Sequence, residues 1–213
     1  MDEYTRPDYQ SIALITIDAQ DDFSLPGAPL EIEGTMETIP NIVKLLELFR
    51  KLAKPVIHVV RLYKEDGSNV DMVRRKRIEG GVSVLRPGSD GAELVKQLKP
   101  HDFSLDSARL LKGIIQQLTP FEFVVYKPRW GAFYATPLGE FLREKGINTL
   151  AFTGCNFPNC PRTSIYQASE RDFRIIVVKD AISGIYGKGL EELANIGCQI
   201  NVTQELADKL QFS

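Results

Sequence analysis

The stretch INTLAFTGCNFPNCPRTS, residues 147–164, decides the fold. Its first eight residues form a short apolar run that ends at Gly154, and the segment from Pro161 onward has the pattern of a helix, whose first turn tolerates proline well. A buried strand that passes through a short turn into a helix is the repeating half of a parallel α/β sheet. The same reading sets Cys160 at a helix N-terminus. There the unpaired N–H groups and the macrodipole favour negative charge, which is what a thiolate carries.

Working outward, SIALITID (11–18), PVIHVVRL (55–62), FEFVVYK (121–127) and RIIVVKDA (174–181) repeat the apolar pattern, and CQINV (198–202) is a weaker version of it. Near-continuous runs rich in Val and Ile mark strands covered on both faces. Between them lie the helical patterns METIPNIVKLLELFRKLAK, ATPLGEFLREKG, PRTSIYQASERD and KGLEELANIG. The alternation predicts one domain over residues 1–213. Its expected form is an α/β three-layer α-β-α sandwich around a central, mostly parallel six-stranded sheet. Residues 64–120 interrupt the rhythm with the polar, Gly-rich run KEDGSNVDMVRRKRIEGGVSVLRPGSDG, and a long excursion of this kind is expected to be a functional loop or lid.

The composition is that of an ordinary globular chain, with 43% hydrophobic and 25% charged residues among 213. A net charge of −2 gives no pull toward nucleic acid or an anionic membrane, so neither is expected as a partner. No apolar run nears the roughly 20 residues of a membrane span, and MDEYTRPDYQ lacks the basic-then-apolar order of a secretion signal. A cytoplasmic setting is expected. There Cys155, Cys160 and Cys198, an odd set without a framework, are expected as free thiols.

Ligands in open α/β sheets bind beyond the carboxyl ends of the strands. Asp18, Lys127 and the Cys160 turn all fall there. Taken singly, an Asp closing a strand is a turn or cap residue, a Lys after a strand is solvated, and a Cys is packing. Taken together on one sheet edge, the three supply a proton acceptor, a fixed positive charge and a nucleophile.

In these residues the chain resembles the isochorismatase-like cysteine hydrolases, the family of nicotinamidases and N-carbamoylsarcosine amidase. The resemblance runs from ALITIDAQDDF through YKPRWGAFYATPLGEFL to FTGCNFPNC and RIIVVKDAISG. It implies a catalytic Asp18 with Gln20 and Phe23 at the family's offsets. It further implies a catalytic Lys127 followed by Gly131, Phe133 and Thr136, and a nucleophilic Cys160 six residues beyond Gly154. It also implies a cis peptide at Cys155–Asn156 and an oxyanion hole made by the N–H groups of Asn156 and Cys160. Cys155, Phe157 and Pro158 depart from the family's usual residues in that loop. Pro158 on its own reads as a loop stiffener.

The implied reaction is hydrolysis of a C–N bond in a small amide or carbamoyl (ureido) compound through a Cys160 thioester. The alternatives are an isochorismatase-type vinyl ether hydrolase and a non-enzymatic binding module that has kept the pocket. Nicotinamidases of the family hold a divalent ion through an Asp and histidines. This chain has only His58 and His101, and a His within PVIHVV reads as a core residue, so no metal and no cofactor are expected. The substrate contacts expected are Gln20, Phe23, Arg129, Trp130 and Phe133, with Arg74 and Arg75 of the RRKR run reaching a substrate carboxylate, and Arg162 as a weaker candidate. The RRKR run read on its own is equally a solvated face or a subunit contact. By family likeness a homo-oligomer, dimer or tetramer, is expected.

Overall fold

The computed structural model describes residues 2–212. The four long apolar runs form wholly buried strands: β1 (Ile12–Ile17), β2 (Val56–Val60), β4 (Glu122–Tyr126) and β5 (Thr149–Gly154). β6 (Arg174–Ile182) and the short β7 (Gln199–Asn201) complete the expected set. A seventh strand, β3 (Gln116–Thr119), lies inside the stretch expected to be irregular. It is half-buried, of sequence QQLT, and pairs antiparallel with β4 at the sheet edge. An edge strand needs no apolar face, which is why no hydrophobic run announced it.

The strand order is β3-β4-β2-β1-β5-β6-β7, parallel except for the β3–β4 pair. Apart from the antiparallel edge strand β3, chain order runs outward from β1 in both directions, so β1 and β5 flank the point where it reverses. On one face, α2 (Thr35–Lys51) and α8 (Thr203–Gln211) bury Ile42, Leu45, Phe49, Leu206 and Leu210 against Ile12, Leu14 and Ile176. The other face is covered by α5 (Leu138–Glu144), α6 (Cys160–Ser169) and α7 (Gly187–Asn195). Here Leu142, Ile165 and Leu193 pack on Ile15, Ile57, Val125 and Phe152, and Cys160 belongs to this cluster.

Residues 64–115 fold back over the carboxyl end of β1. They carry α3 (Met72–Glu79), which contains the RRKR run, two single turns of 3-10 helix, and α4 (Ser107–Leu110). After β1 comes the one-turn α1 (Asp21–Ser24), and the excursion is tied to it. Asp21 N–H donates to the Glu93 carbonyl at 3.0 Å and Val95 N–H to the Ala19 carbonyl at 3.1 Å. Beneath the excursion, Phe23, Tyr63, Val70, Val84, Leu85 and Cys155 form a small apolar cluster of their own.

Gly154 ends β5 at φ 110°, and a Cβ placed there would sit 2.1 Å from the Ile17 carbonyl oxygen of β1. Only glycine lets the two strands stay in register while the chain turns toward the loop before α6. Gly154→Ala is expected to lower unfolding stability by about 3 kcal/mol or more. A urea titration checks this, and a loss below about 1 kcal/mol would mean that the strand ends move apart easily.

Candidate active site

The ends of three strands, β4, β1 and β5, deliver the side chains, with β2 lying between β4 and β1. Asp18 follows β1, its N–H donating to the Val59 carbonyl at 2.9 Å; Lys127 follows β4, its N–H donating to the Val60 carbonyl at 3.0 Å. Both residues are thus hung on the last two residues of β2. Asp18 has a left-handed backbone with φ 51°, which Asp tolerates better than most side chains and which directs its carboxylate away from the strand line. Lys127 Nζ lies 2.8 Å from Asp18 Oδ2, with both side chains almost fully buried, and also donates to the Arg129 carbonyl at 3.2 Å. Asp18 Oδ1 makes no conventional hydrogen bond.

Cys160 opens α6, with Asn159 as N-cap and Pro161 in the first turn, and is 5% exposed. Among the described residues neither the Asn156 nor the Cys160 N–H has an acceptor. No peptide bond among them is cis, so Cys155–Asn156 is trans, against the expectation carried by the family likeness. The loop is held instead by Phe157, whose N–H donates to the Ser183 carbonyl at 2.8 Å and whose ring packs edge-on to Tyr186.

The helix N-terminus favours negative charge at Cys160, but the rest of its surroundings opposes it. Burial first and the Asp18 charge second push the thiol up to about 11, with contact against the Asp18 carboxyl adding to the rise; the charges of Lys127 and Arg61 oppose it without prevailing. The resting group is therefore a thiol. Cys155 is fully buried, and its Sγ–H donates to the Asp18 carbonyl at 3.1 Å, so it supports the Asp18 turn from beneath. Burial also raises Cys198, to about 12. It lines a separate surface cavity of about 480 Å³ near Tyr4 and Phe173.

The expected substrate contacts divide. Gln20 is fully buried and tethers two segments, donating from Nε2 to the carbonyls of Arg61 (2.9 Å) and Ala92 (2.6 Å) and accepting the Arg61 N–H (2.7 Å). Phe23 lies in the small cluster under the excursion, and Phe133 packs on Phe173 with ring centroids 5.8 Å apart. Arg74 leans inward over Phe23, whereas Arg75 is exposed and reaches only the Val70 carbonyl, at 3.3 Å. Arg129 donates to the Asn69 carbonyl at 3.0 Å. With Trp130, Gly131, Tyr134, Thr163 and Gln167 it lines an open cavity of about 430 Å³ that none of Asp18, Lys127 or Cys160 touches. Arg162 pairs with Tyr186 and Glu192 on the surface.

One residue that the sequence did not single out is Arg61. It is fully buried, and its charge acts on the Cys160 thiol. Its only cue was position, one residue past β2.

Both ring nitrogens of His58 are engaged, Nδ1 with Thr16 Oγ1 and Nε2 with Glu122 Oε1, each at 2.8 Å. Strand alternation points His58 to the face opposite Ile57, Val59 and Cys160. Among the described residues no group of three His, Cys, Asp or Glu side chains is arranged to hold a metal ion, so the residues do not fit the nicotinamidase ion and no step is routed through one. Burial raises Glu122, but hydrogen bonds and charges from His58 and Arg50 outweigh it and hold the carboxyl down at about 2. A depressed carboxylate contributes stability above its ordinary value and loses it as pH falls through the folded value. The melting temperature is expected to drop between about pH 4.5 and pH 2, and Glu122→Gln to flatten that drop in calorimetry. An unchanged slope would show that another group controls acid unfolding.

The model of the isochorismatase domain family matches residues 12–110 and 106–196. The chain is 28% identical over 208 residues to a "probable inactive nicotinamidase" of Arabidopsis thaliana, covering 95% of this chain and 97% of that protein. It is 28% identical over 170 residues to the maleamate amidohydrolase of Pseudomonas putida, covering 80% and 71%. A solved isochorismatase family protein of Desulfovibrio vulgaris superposes with TM-score 0.78 at 33% identity, over 94% of this chain and 98% of that one. A strand order that reverses at β1, a cysteine-bearing turn into a helix after β5 and a family match spanning most of the sequence lead to one conclusion: the chain belongs to the isochorismatase family of hydrolases.

Proposed function

We propose that this protein is a cysteine amidohydrolase that cleaves a C–N bond of a small amide or ureido compound, with Asp18, Lys127 and Cys160 as its catalytic residues. The observation that carries the proposal is the buried Asp18–Lys127 ion pair beside Cys160, in which Lys127 holds one carboxylate oxygen and leaves the other without a conventional hydrogen bond. A thiol with a pKa of about 11 must lose its proton as it attacks, and Asp18 is the acceptor at hand.

In this scheme the Sγ–H proton passes to Asp18 while sulfur bonds to the carbonyl carbon. The unpaired N–H groups of Asn156 and Cys160 receive the developing oxyanion. Collapse of the tetrahedral intermediate breaks the C–N bond, and Asp18 returns its proton to the departing nitrogen. Water, deprotonated by Asp18, then attacks the thioester and releases the acid and the thiol. Lys127 keeps the carboxylate oriented throughout. The name of the maleamate relative supports amide hydrolysis as the reaction class.

Incubation with a panel of simple amides, ureido acids and isochorismate, followed by intact-protein mass spectrometry, tests the reading. An acyl adduct on the Cys160 peptide together with ammonia or amine release is expected. Turnover of isochorismate alone would favour vinyl ether hydrolysis. Binding without any adduct or product would favour a non-catalytic module, the reading suggested by the name of the Arabidopsis relative.

A further inference from the structure

Beside the nucleophile lies a positively charged group that the catalytic scheme does not use. Arg61 is fully buried, yet among the described residues only its Nη2 is hydrogen-bonded, at 3.0 Å from Asp71 Oδ2; Nε and Nη1 find no acceptor there. Leaving guanidinium donors unpaired in a buried site is costly, and the Tyr63 ring, 5.5 Å from the guanidinium carbon, meets its face without accepting from its N–H groups. Alternation along β2 puts Arg61 on the face of Ile57 and Val59, the face that carries Cys160, and Lys127 shares that face through Val125. The Arg61 charge lowers the Cys160 thiol, and a charged Cys160 raises Arg74.

The surrounding charges do not cancel. Asp71 Oδ2 accepts from Arg61 and from the Tyr63 hydroxyl, which in turn accepts from Arg74 Nη1 at 2.9 Å; Arg74 itself is 3.9 Å from Asp71. Two guanidiniums face one carboxylate there. The neighbouring Lys127–Asp18 pair adds no net charge, so with Cys160 as a thiol the cluster has an excess of one positive charge. Arg129, tied to the Asn69 carbonyl, adds to that sign.

We infer that Arg61 is the specificity residue of this site, receiving the carboxylate of a monoanionic amide or ureido substrate on its unpaired N–H groups while Arg74 supplies the second positive charge. The inference rests on the amidohydrolase reading for the bond cleaved, but the anion site itself can be tested apart from turnover.

Two measurements on the full-length protein separate the cases. In the first, iodoacetamide labelling of Cys160 at pH 9 and fixed ionic strength is followed with succinate or the neutral succinamide as probe. Succinate is expected to protect at a concentration roughly 100-fold lower than succinamide. In Arg61→Gln combined with Asp71→Asn, which removes both partners and leaves no orphan carboxylate, the probes should come within about threefold of each other. Arg61→Lys should fall between. Equal protection by the two probes in the unaltered protein would overturn the inference.

In the second, succinamate and N-carbamoylglycine are compared with their methyl esters. The acids are expected to lead by roughly 100-fold in kcat/KM, mainly through KM, with that lead lost in the double variant. Neutral esters acylating Cys160 as fast as the acids would refute the carboxylate site and leave the amidohydrolase reading standing. Selective protection by succinate with no acylation by any compound would do the reverse.

Discussion

Cys160→Ala is expected to lower kcat by about 10⁴-fold or more while leaving the melting temperature within a few degrees of the unaltered protein. The side chain contributes one sulfur atom to a well-packed cluster, so its loss opens only a small gap; its chemistry, by contrast, has no substitute at that place. Asp18→Asn and Lys127→Ala should each cost about as much in turnover, and the triple variant little more than the worst single one, because in the proposed scheme the three groups act as one unit.

The variants differ in what they do to folding. Lys127 is fully buried and faces an Asp18 that is 2% exposed, so Lys127→Ala strands a carboxylate in the interior at a cost of roughly 3–5 kcal/mol. Cys160→Ala is therefore the clean test, read by kcat together with a denaturant melt. Retention of more than about a tenth of the activity would remove Cys160 from the mechanism.

The strands were legible because burial on both faces leaves no room for polar residues, and IALITI, VIHVV and TLAFTG show that directly. The helix at Cys160 was legible from glycine, proline and the apolar run before them. What escaped notice has polar sequence for a physical reason. β3 pairs only along one edge, and α3 has no buried residue, so neither carries an apolar period to be read. α8 does bury Leu206 and Leu210, but its nine residues show barely two turns of pattern.

Arg61 and Gln20 were hidden differently. A charged residue just past a strand ordinarily reaches solvent, and only the folded excursion, which brings Asp71 and Ala92 over the strand end, turns Arg61 into a buried cation and Gln20 into a tether. The high thiol pKa belongs to the same class, being set by contacts among distant segments rather than by any local run.

Asp18→Asn is expected to separate the reactivity of Cys160 from its catalysis. In the resting protein Asp18 raises the thiol through its charge and through direct contact, while Lys127 lowers it. Replacing the carboxylate with a neutral amide removes both upward influences and leaves the Lys127 ammonium without its ion-pair partner beside the sulfur. The thiol pKa must fall. Each unit of that fall raises the thiolate fraction near neutral pH about tenfold, so alkylation of Cys160 by iodoacetamide at pH 7.5 should quicken by about tenfold or more. Turnover should move the opposite way, by about 10⁴-fold, because the group that in the proposed scheme takes the proton and later delivers it to the leaving nitrogen is gone. Lys127→Ala carries the opposite sign for labelling, slowing it. Cys198, whose raised pKa comes from burial alone, provides the internal reference, and its labelling rate should not respond to either change. Peptide mapping of both cysteines over time, alongside the rate of product release, reads all of these signs in one experiment. Slower labelling of Cys160 in Asp18→Asn would mean that the carboxylate stabilises the thiolate through the fold rather than opposing it by charge, and the proton route through Asp18 would have to be abandoned.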